Sequence, residues 1–299
     1  MSKKIVIAGG TGFIGTYLNQ KFSDLGYEVI IISRQKNHVN WNNEKSILNA
    51  IDNAEVLINL AGKSVDCRYS EKNKNAILNS RVETTKILGD VILKCTNPPE
   101  LWINSSTATI YRHSEDIPMT EKDGEIGTGF SVNVAKKWEQ IFFDFKLTNT
   151  RQIALRISIV LGKNGGAMQP LLTITKLGMG GKQGNGNQMF SWIHIEDLYQ
   201  VILFCINNKN IKGAINCTAP NPIQNKVLME KLRKKCHVNI GIPTPKWVLK
   251  MGAFIINTDA ELVLKSRWVI PDYLQNNGFV FQYPTIDLAL ENVLIIVLL

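Results

Sequence analysis

The chain opens with an apolar run, Ile5-Val6-Ile7-Ala8, that breaks at once into Gly9-Gly10-Thr11-Gly12-Phe13-Ile14-Gly15. Few features constrain a fold more. A buried strand, a glycine turn and a helix start, in that order, build a cradle for a pyrophosphate. Glycines let the backbone approach a ligand with no Cβ in the way, and the following helix offers unpaired N–H groups and the positive end of its dipole. β-Branched residues precede the turn, and Ile14, Leu18, Phe22 and Leu25 follow it at helical spacing. Gly9, Gly12, Phe13, Ile14 and Gly15 are therefore the first candidates for dinucleotide contact.

Strand-like runs then alternate with helical ones. Val29–Ser33, Val56–Leu60, Leu101–Ser105 and Gln152–Ile157 read as strands, and Leu78, Val82, Thr85 and Ile92 fall at helical spacing, as does the stretch from Val134 to Phe145. This alternation predicts an α/β protein whose parallel sheet is covered by helices on both faces. In such sheets ligands sit at the carboxyl ends of the strands, so the residues just past each strand are the ones to inspect. Beyond about residue 160 glycines become frequent (Gly162, Gly165, Gly166, Gly178, Gly180, Gly181, Gly184, Gly186), which predicts long loops, and a smaller lobe begins near Gly241.

Composition narrows the classes. The chain has 299 residues with a 44% hydrophobic fraction, enough for one large core and a smaller partner. No apolar run is long enough for a signal peptide or a membrane span; Val293–Leu299 is too short and is expected to pack on the core. Five scattered cysteines without C-x-x-C pairing predict reduced thiols and a cytoplasmic setting, and the four histidines show no metal-ligand spacing. The net charge of +9 could serve nucleic acid or an anionic small molecule. Basic residues are dispersed, apart from Lys231 to Lys235, and lack interleaved aromatics, which favours an anionic cofactor over nucleic acid.

The tip of the second strand chooses the dinucleotide. An acidic residue there would accept from the adenosine ribose and repel a 2′-phosphate. This chain has Ser33-Arg34 instead, and a hydroxyl beside a guanidinium suits a phosphate. NADP(H) is the expected cofactor, with NAD as the alternative. After the third strand, Leu60-Ala61-Gly62 supplies small residues where the chain passes close to the ligand.

Together with Asn59-Leu60-Ala61-Gly62, Ser105-Ser106-Thr107-Ala108-Thr109-Ile110-Tyr111 and Phe190 to Asp197, the glycine turn resembles the extended short-chain dehydrogenase/reductases, which include nucleoside-diphosphate-sugar epimerases and dehydratases. More narrowly, Ser80-Arg81-Val82-Glu83-Thr84-Thr85, Lys137-Trp138-Glu139, Ser191-Trp192-Ile193-His194 and Gly278 to Thr285 resemble an atypical branch of epimerase-family proteins of unknown substrate. The resemblance implies a Rossmann-type, doubly wound sheet over residues 1–235, with substrate-side loops around 162–190. A small C-terminal substrate-side domain would follow over 236–299. It also implies an oxidoreductase or epimerase acting on a small or nucleotide-linked polar substrate, a homodimer through the helices near Leu78–Ile92 and Val134–Phe145, and Arg81 beside the cofactor cleft.

Enzymes of that family pair a serine or threonine with a Tyr-x-x-x-Lys on the next helix, because a phenol with a pKa near ~10 needs an adjacent ammonium to act at neutral pH. Thr107, with Ser105 and Ser106 beside it, fits the hydroxyl position. The pair itself is missing: alignment through Glu139 puts Ser131 and Ala135 at its two positions, and Lys136 has Val132 four residues before it. Three explanations stay open. Tyr111 supplies the phenol; or Lys136 acts as an acid or binds ribose oxygens; or the protein binds NADP(H) without the family's redox chemistry and serves as a cofactor-responsive regulator. His194 and Asp197 are expected to be a buried hydrogen-bonded group and a first-turn carboxylate.

Overall fold

The computed structural model describes residues 3–163, 165–249 and 264–294. Its first half runs β1 (Lys4–Ala8), α1 (Phe13–Asp24), β2 (Glu28–Ser33), β3 (Val39–Asn40), α2 (Glu44–Ile51), β4 (Val56–Asn59), α3 (Glu71–Ile92), β5 (Leu101–Thr107) and α4 (Phe130–Asp144). The second half runs β6 (Arg151–Ile157), β7 (Ile159–Gly162), β8 (Gly165–Gly166), α5 (Met168–Ile174), β9 (Met189–Phe190), β10 (Trp192–His194), α6 (Ile195–Asn207), β11 (Gly213–Cys217), β12 (Ile223–Gln224) and α7 (Asn225–Lys235). Two helices described near the end are α8 (Asp272–Asn276) and α9 (Ile286–Leu294).

Seven of these strands form one sheet in the order β11-β6-β5-β4-β1-β2-β3, and every pairing in it is parallel. The chain winds outward from β1 to β3, then returns to β4 on the other side of β1. The strand order reverses there, which opens a crevice at the carboxyl ends of β1 and β4. Strand alternation divides the core. Ile5 and Ile7 face α1 and α6 with Leu18, Phe22, Val201 and Ile202, while Val6 and Ala8 face the other layer with Ile47, Ile51, Leu88, Trp102 and Phe142. Both faces of β1 are therefore covered, which is why it reads as a continuous apolar run.

Five strands expected from sequence are present. Sequence reading passed over β3 and β11, a two-residue edge and a strand carrying the buried polar Asn216. Leu25 ends up outside: it caps α1 at its C-terminus and is 55% exposed. On α3 the buried stripe runs through Ile77, Thr85, Leu88, Gly89, Val91 and Ile92, whereas Leu78 and Val82 are half-buried.

A second apolar cluster joins Leu161, Met168 and Trp192 to α7 (Leu228, Leu232) and α9 (Ile286, Leu290). Val293 and Leu294 lie in it, while Ile295 to Leu299 are outside the described residues. The basic run on α7 is matched by acids: Lys231 pairs with Asp287 at 2.7 Å, Lys235 with Glu291 at 3.0 Å and Lys234 with Glu230 at 2.8 Å. Two of the five cysteines, Cys205 and Cys217, are buried; all five are free thiols. No described helix is long and apolar enough to cross a membrane, and no metal-binding cluster occurs among the described residues.

Candidate functional site

The turn after β1 is built by exclusion. Gly9 has φ +75°, and a Cβ on it would come within 2.7 Å of Ala61 N; a Cβ on Gly15 would come within 2.5 Å of Gly10 Cα. Both positions demand glycine so that the β1 turn, the β4 end and α1 can close on one another. Gly12 differs, because the nearest atom to an added Cβ is Gly9 O at 3.9 Å. The helix begins there, and its first internal bond is Thr16 N–H to Gly12 O at 2.8 Å. The N–H groups of Phe13, Ile14 and Gly15 come before it, with no acidic side chain in the first turn. Phe13 turns its ring away toward Gly162, Gly165 and Gly166, where any Cβ would lie within about 3.1 Å of the ring. Those glycines, read as loop markers, form a socket that fastens β7 and β8 to the cleft.

At the tip of β2, Ser33 is buried and its Oγ accepts from Gln35 N at 3.0 Å and meets His38 Nδ1 at 2.9 Å. Arg34 is exposed and bonds to no described residue. At the end of β4, Asn59 is fully buried: it donates to Asn104 Oδ1 at 2.7 Å and accepts from Ala61 N at 3.0 Å, which sets the path of Leu60-Ala61-Gly62. Two α3 residues then clasp Lys63. Ser80 Oγ accepts from Lys63 N at 2.9 Å and Arg81 Nη1 donates to Lys63 O at 3.1 Å. Arg81 also donates to Ile77 O and stacks over Trp138 at 5.1 Å from its ring. A Cβ on Gly62 would touch its Cζ at 3.0 Å. Burial pulls the Arg81 pKa down to about 10, and no described carboxylate lies within 4.0 Å of it.

The end of β5 meets α4 through a buried chain of charges. Ser106 Oγ donates to Glu139 at 2.5 Å, and Arg156 grips the same carboxylate through Nε and Nη2 at 2.9 and 2.8 Å. Burial disfavours the Arg156 charge, but Glu139 outweighs it and the guanidinium holds its proton more tightly than usual. Arg156 Nη1 donates to Tyr111 OH at 2.7 Å, and that hydroxyl donates to Asn216 Oδ1 at 2.8 Å. Tyr111 is 2% exposed, and burial raises its pKa despite the neighbouring guanidinium. Both hydroxyl functions are therefore committed to the scaffold. Thr107 stays half-buried at the strand end, where its Oγ1 accepts from Thr109 N at 3.1 Å. Lys136 stands on the solvent face of α4, away from the buried Ala135, Trp138 and Glu139. A helix turns about 100° per residue, and that rotation separates it from the cleft.

Segment 264–270 straps the loop beyond Thr107. Arg267 Nε donates to Thr109 Oγ1 at 3.1 Å, Lys265 Nζ to Thr109 O at 2.9 Å, and Ser191 Oγ to Arg267 O at 2.6 Å. Farther along, the fully buried Asp197 in the first turn of α6 accepts from Gln282 N and Tyr283 N at 2.8 and 3.0 Å. His194 is 3% exposed, stacks on Tyr283 at 3.8 Å and accepts at Nδ1 from Glu196 N; burial lowers its pKa to about 4. Both residues hold the C-terminal segment in place.

The structure thus brings the glycine turn, Ser33–Arg34, Leu60–Gly62 and Arg81 together at the carboxyl ends of β1, β2 and β4, and Thr107 ends β5, the strand next to β4. It leaves Lys136 outside and places Ser106 and Tyr111 in the supporting network. Sequence reasoning missed the clasp by Ser80, although that residue lies in a motif it singled out. It also missed the Glu139–Arg156 pair, whose members sit on different elements with no shared pattern.

Comparison with known proteins fits this geometry. Over 98% of this chain and 99% of its own length, an epimerase family protein of Staphylococcus haemolyticus is 30% identical. The crystal structure of human epimerase family protein SDR39U1 (isoform 2) with NADPH superposes with a TM-score of 0.88 at 29% identity, covering 97% of this chain and 99% of that one. A nucleoside-diphosphate sugar epimerase from Corynebacterium glutamicum gives 0.79 at 27% identity, covering 98% of this chain but 58% of that one. Residues 244–293 match a domain of unknown function, DUF1731. Residues 5–218 match the model of the NAD dependent epimerase/dehydratase family, and the chain belongs to that family.

Proposed function

We propose that the chain holds NADP(H) across the carboxyl ends of β1, β2 and β4 and acts on a small or nucleotide-linked polar substrate admitted beside Thr107. The Gly12 corner carries this reading: it is open where Gly9 and Gly15 are packed shut, and three N–H groups precede the first helical bond beside it. The pyrophosphate would lie against Gly9, Gly12, Phe13, Ile14 and Gly15 through backbone groups. Ser33 and Arg34 would take the 2′-phosphate, and Leu60, Ala61 and Gly62 would line the ribose edge. The NADPH bound to the human relative supports the same choice. When bound, the cofactor supplies a hydride; the protein's share is to orient it and manage the proton.

A second reading, a cofactor-responsive protein without turnover, is favoured by one observation. Ala135, at the family's lysine position, is buried in an apolar cluster with Ala108, Ile110, Tyr111, Met119 and Val269. Fluorescence titration with NADPH and NADH tests the cofactor: NADPH should bind tighter, and Arg34→Ala should narrow the gap about tenfold, the loss of one charge-assisted contact. Equal affinities in the unaltered protein would remove Arg34 as a phosphate clamp. Anaerobic incubation with carbonyl compounds and sugar nucleotides separates the two readings. Absence of turnover throughout, with Thr107→Ala silent, selects the regulator.

A further inference from the structure

Exposed apolar side chains concentrate on one part of the surface. Among the described residues twelve large hydrophobics are exposed, and five of them lie on two short segments. Leu177 and Met179 follow α5, and Ile240, Ile242 and Trp247 follow α7, each 44–69% exposed. The two segments run side by side. Ile242 N–H donates to Gly178 O at 3.0 Å, Thr244 N–H to Lys182 O at 2.9 Å and Gly184 N–H to Thr244 O at 2.9 Å. A Cβ on Gly241 would run into the side chain of Arg233 on α7, so that flank faces inward, while Ile240 and Ile242 on either side of it turn outward.

The charge around these residues has one sign. No Asp or Glu occurs from Lys163 to Ile195 or from Lys231 to Leu249. Lys176, Lys182 and Lys246 are exposed on the same two segments, and none of them pairs with a described carboxylate. The acids near α7 are engaged elsewhere: Glu230 with Lys234, Asp287 with Lys231 and Glu291 with Lys235.

We propose that this patch seats the protein on an anionic lipid surface. Leu177, Met179, Ile240, Ile242 and Trp247 enter the boundary between headgroups and acyl chains, and Lys176, Lys182 and Lys246 meet the lipid phosphates. The apolar side chains project rather than line a groove, and a fluid bilayer takes up projecting groups without a matching cavity. An indole suits that boundary, and a lysine stem lies along apolar contacts with its ammonium among the headgroups. Immersion leaves little backbone unsatisfied, since the segments bond to each other and Pro243 and Pro245 carry no N–H. A second copy of the chain fits less well, because a two-fold contact would set these lysines against their own counterparts. The proposal stands apart from the NADP(H) reading, which uses β1, β2 and β4.

Sedimentation of the full chain with vesicles decides. Binding to phosphatidylglycerol-rich vesicles should exceed binding to pure phosphatidylcholine at least about tenfold at low salt and fall steeply as salt is added. The triple variant Lys176→Glu, Lys182→Glu, Lys246→Glu should lose that preference. A second triple at exposed lysines of other elements, Lys86→Glu, Lys122→Glu, Lys212→Glu, makes the same change in net charge and should keep most of it. Ile240→Ser with Ile242→Ser should weaken binding about tenfold. Trp247 emission, taken as the difference from Trp247→Phe, should move to shorter wavelength on the anionic vesicles. Equal binding to both vesicles, equal losses in the two lysine triples, or an unmoved Trp247 emission overturns the proposal. So does a dimer in light scattering that Ile240→Ser with Ile242→Ser dissolves, which makes a second copy the occupant. Binding to soluble poly-glutamate but not to vesicles overturns it in favour of an acidic chain. If the isoleucine variant is unfolded by circular dichroism, the lysine triples and Trp247 still decide.

Discussion

The two ends of the crevice follow opposite rules. At the β1–α1 turn space dictates glycine at Gly9 and Gly15, while Gly12 between them stays open, so packed and open glycines interleave within one heptapeptide. At the β5–α4 end Thr107 remains but the Tyr-x-x-x-Lys pair is missing, and α4 carries Ala135, Trp138 and Glu139, which serve packing and a buried ion pair. Backbone N–H groups can bind phosphate whatever the neighbouring side chains do, so the glycine turn does not depend on what stands at the β5–α4 end.

The sharpest way to break that contrast is to attack the scaffold. Arg156→Met would strand the Glu139 carboxylate, which is 8% exposed, without its partner. Such a loss costs about 3–5 kcal/mol, read as a lower urea midpoint. Adding Glu139→Leu should return most of it, since an apolar pair of similar size needs no counter-charge. If Arg156→Met is harmless to stability yet abolishes turnover, the network is catalytic and the contrast fails.

The glycines come next. Gly15→Ala drives a Cβ into the backbone of Gly10, with contacts of 2.5–2.7 Å to its Cα, C and O, and should destabilise by about 3 kcal/mol. Gly12→Ala has room and should leave stability within about 0.5 kcal/mol while weakening NADPH at least about tenfold. Equal effects of the two substitutions on folding would mean that the open corner is not a ligand contact.

This difference also explains what could be read in advance. The glycine turn was legible because sterics tie Gly9 and Gly15 to one residue type, and β1, β2, β4, β5 and β6 because buried parallel strands are apolar throughout. Arg156 and Glu139 were not legible: they lie 17 residues apart on a strand and a helix, and charges there read as solvated. Tyr111 could be picked out as a phenol but not placed, since its partners Arg156 and Asn216 arrive from β6 and β11. Lys136 sat beside the right motif on the wrong face, which only the helix phase reveals.

His194 tests whether the neighbouring lobe is likewise structural. Its pKa is lowered to about 4, so the folded protein keeps it neutral while the unfolded chain takes up a proton near 6.5. As pH falls from about 6.5 toward 4 the unfolded state binds the extra proton, and stability declines by on the order of 2–3 kcal/mol. Below the folded pKa this contribution stops changing. His194→Asn, which keeps an acceptor for Glu196 N, should flatten that part of the pH profile; an unchanged slope would mean that His194 is already charged in the fold.

The smallest expected effect is the most informative about α4. Lys136 is exposed, and the buried residues around it are Val134, Ala135, Trp138 and Glu139. Exposed lysines without a fixed partner contribute little, so Lys136→Ala should change stability by under about 0.5 kcal/mol and leave NADPH affinity unaltered. Its ammonium would have to cross the helix surface to reach the cleft that Ala135 borders. A tenfold loss of NADPH affinity in Lys136→Ala would therefore require α4 to rotate or unwind when the cofactor enters. The lysine of the family motif would then have moved by one residue rather than disappeared, and the rebuilt end of the crevice would again resemble an active site.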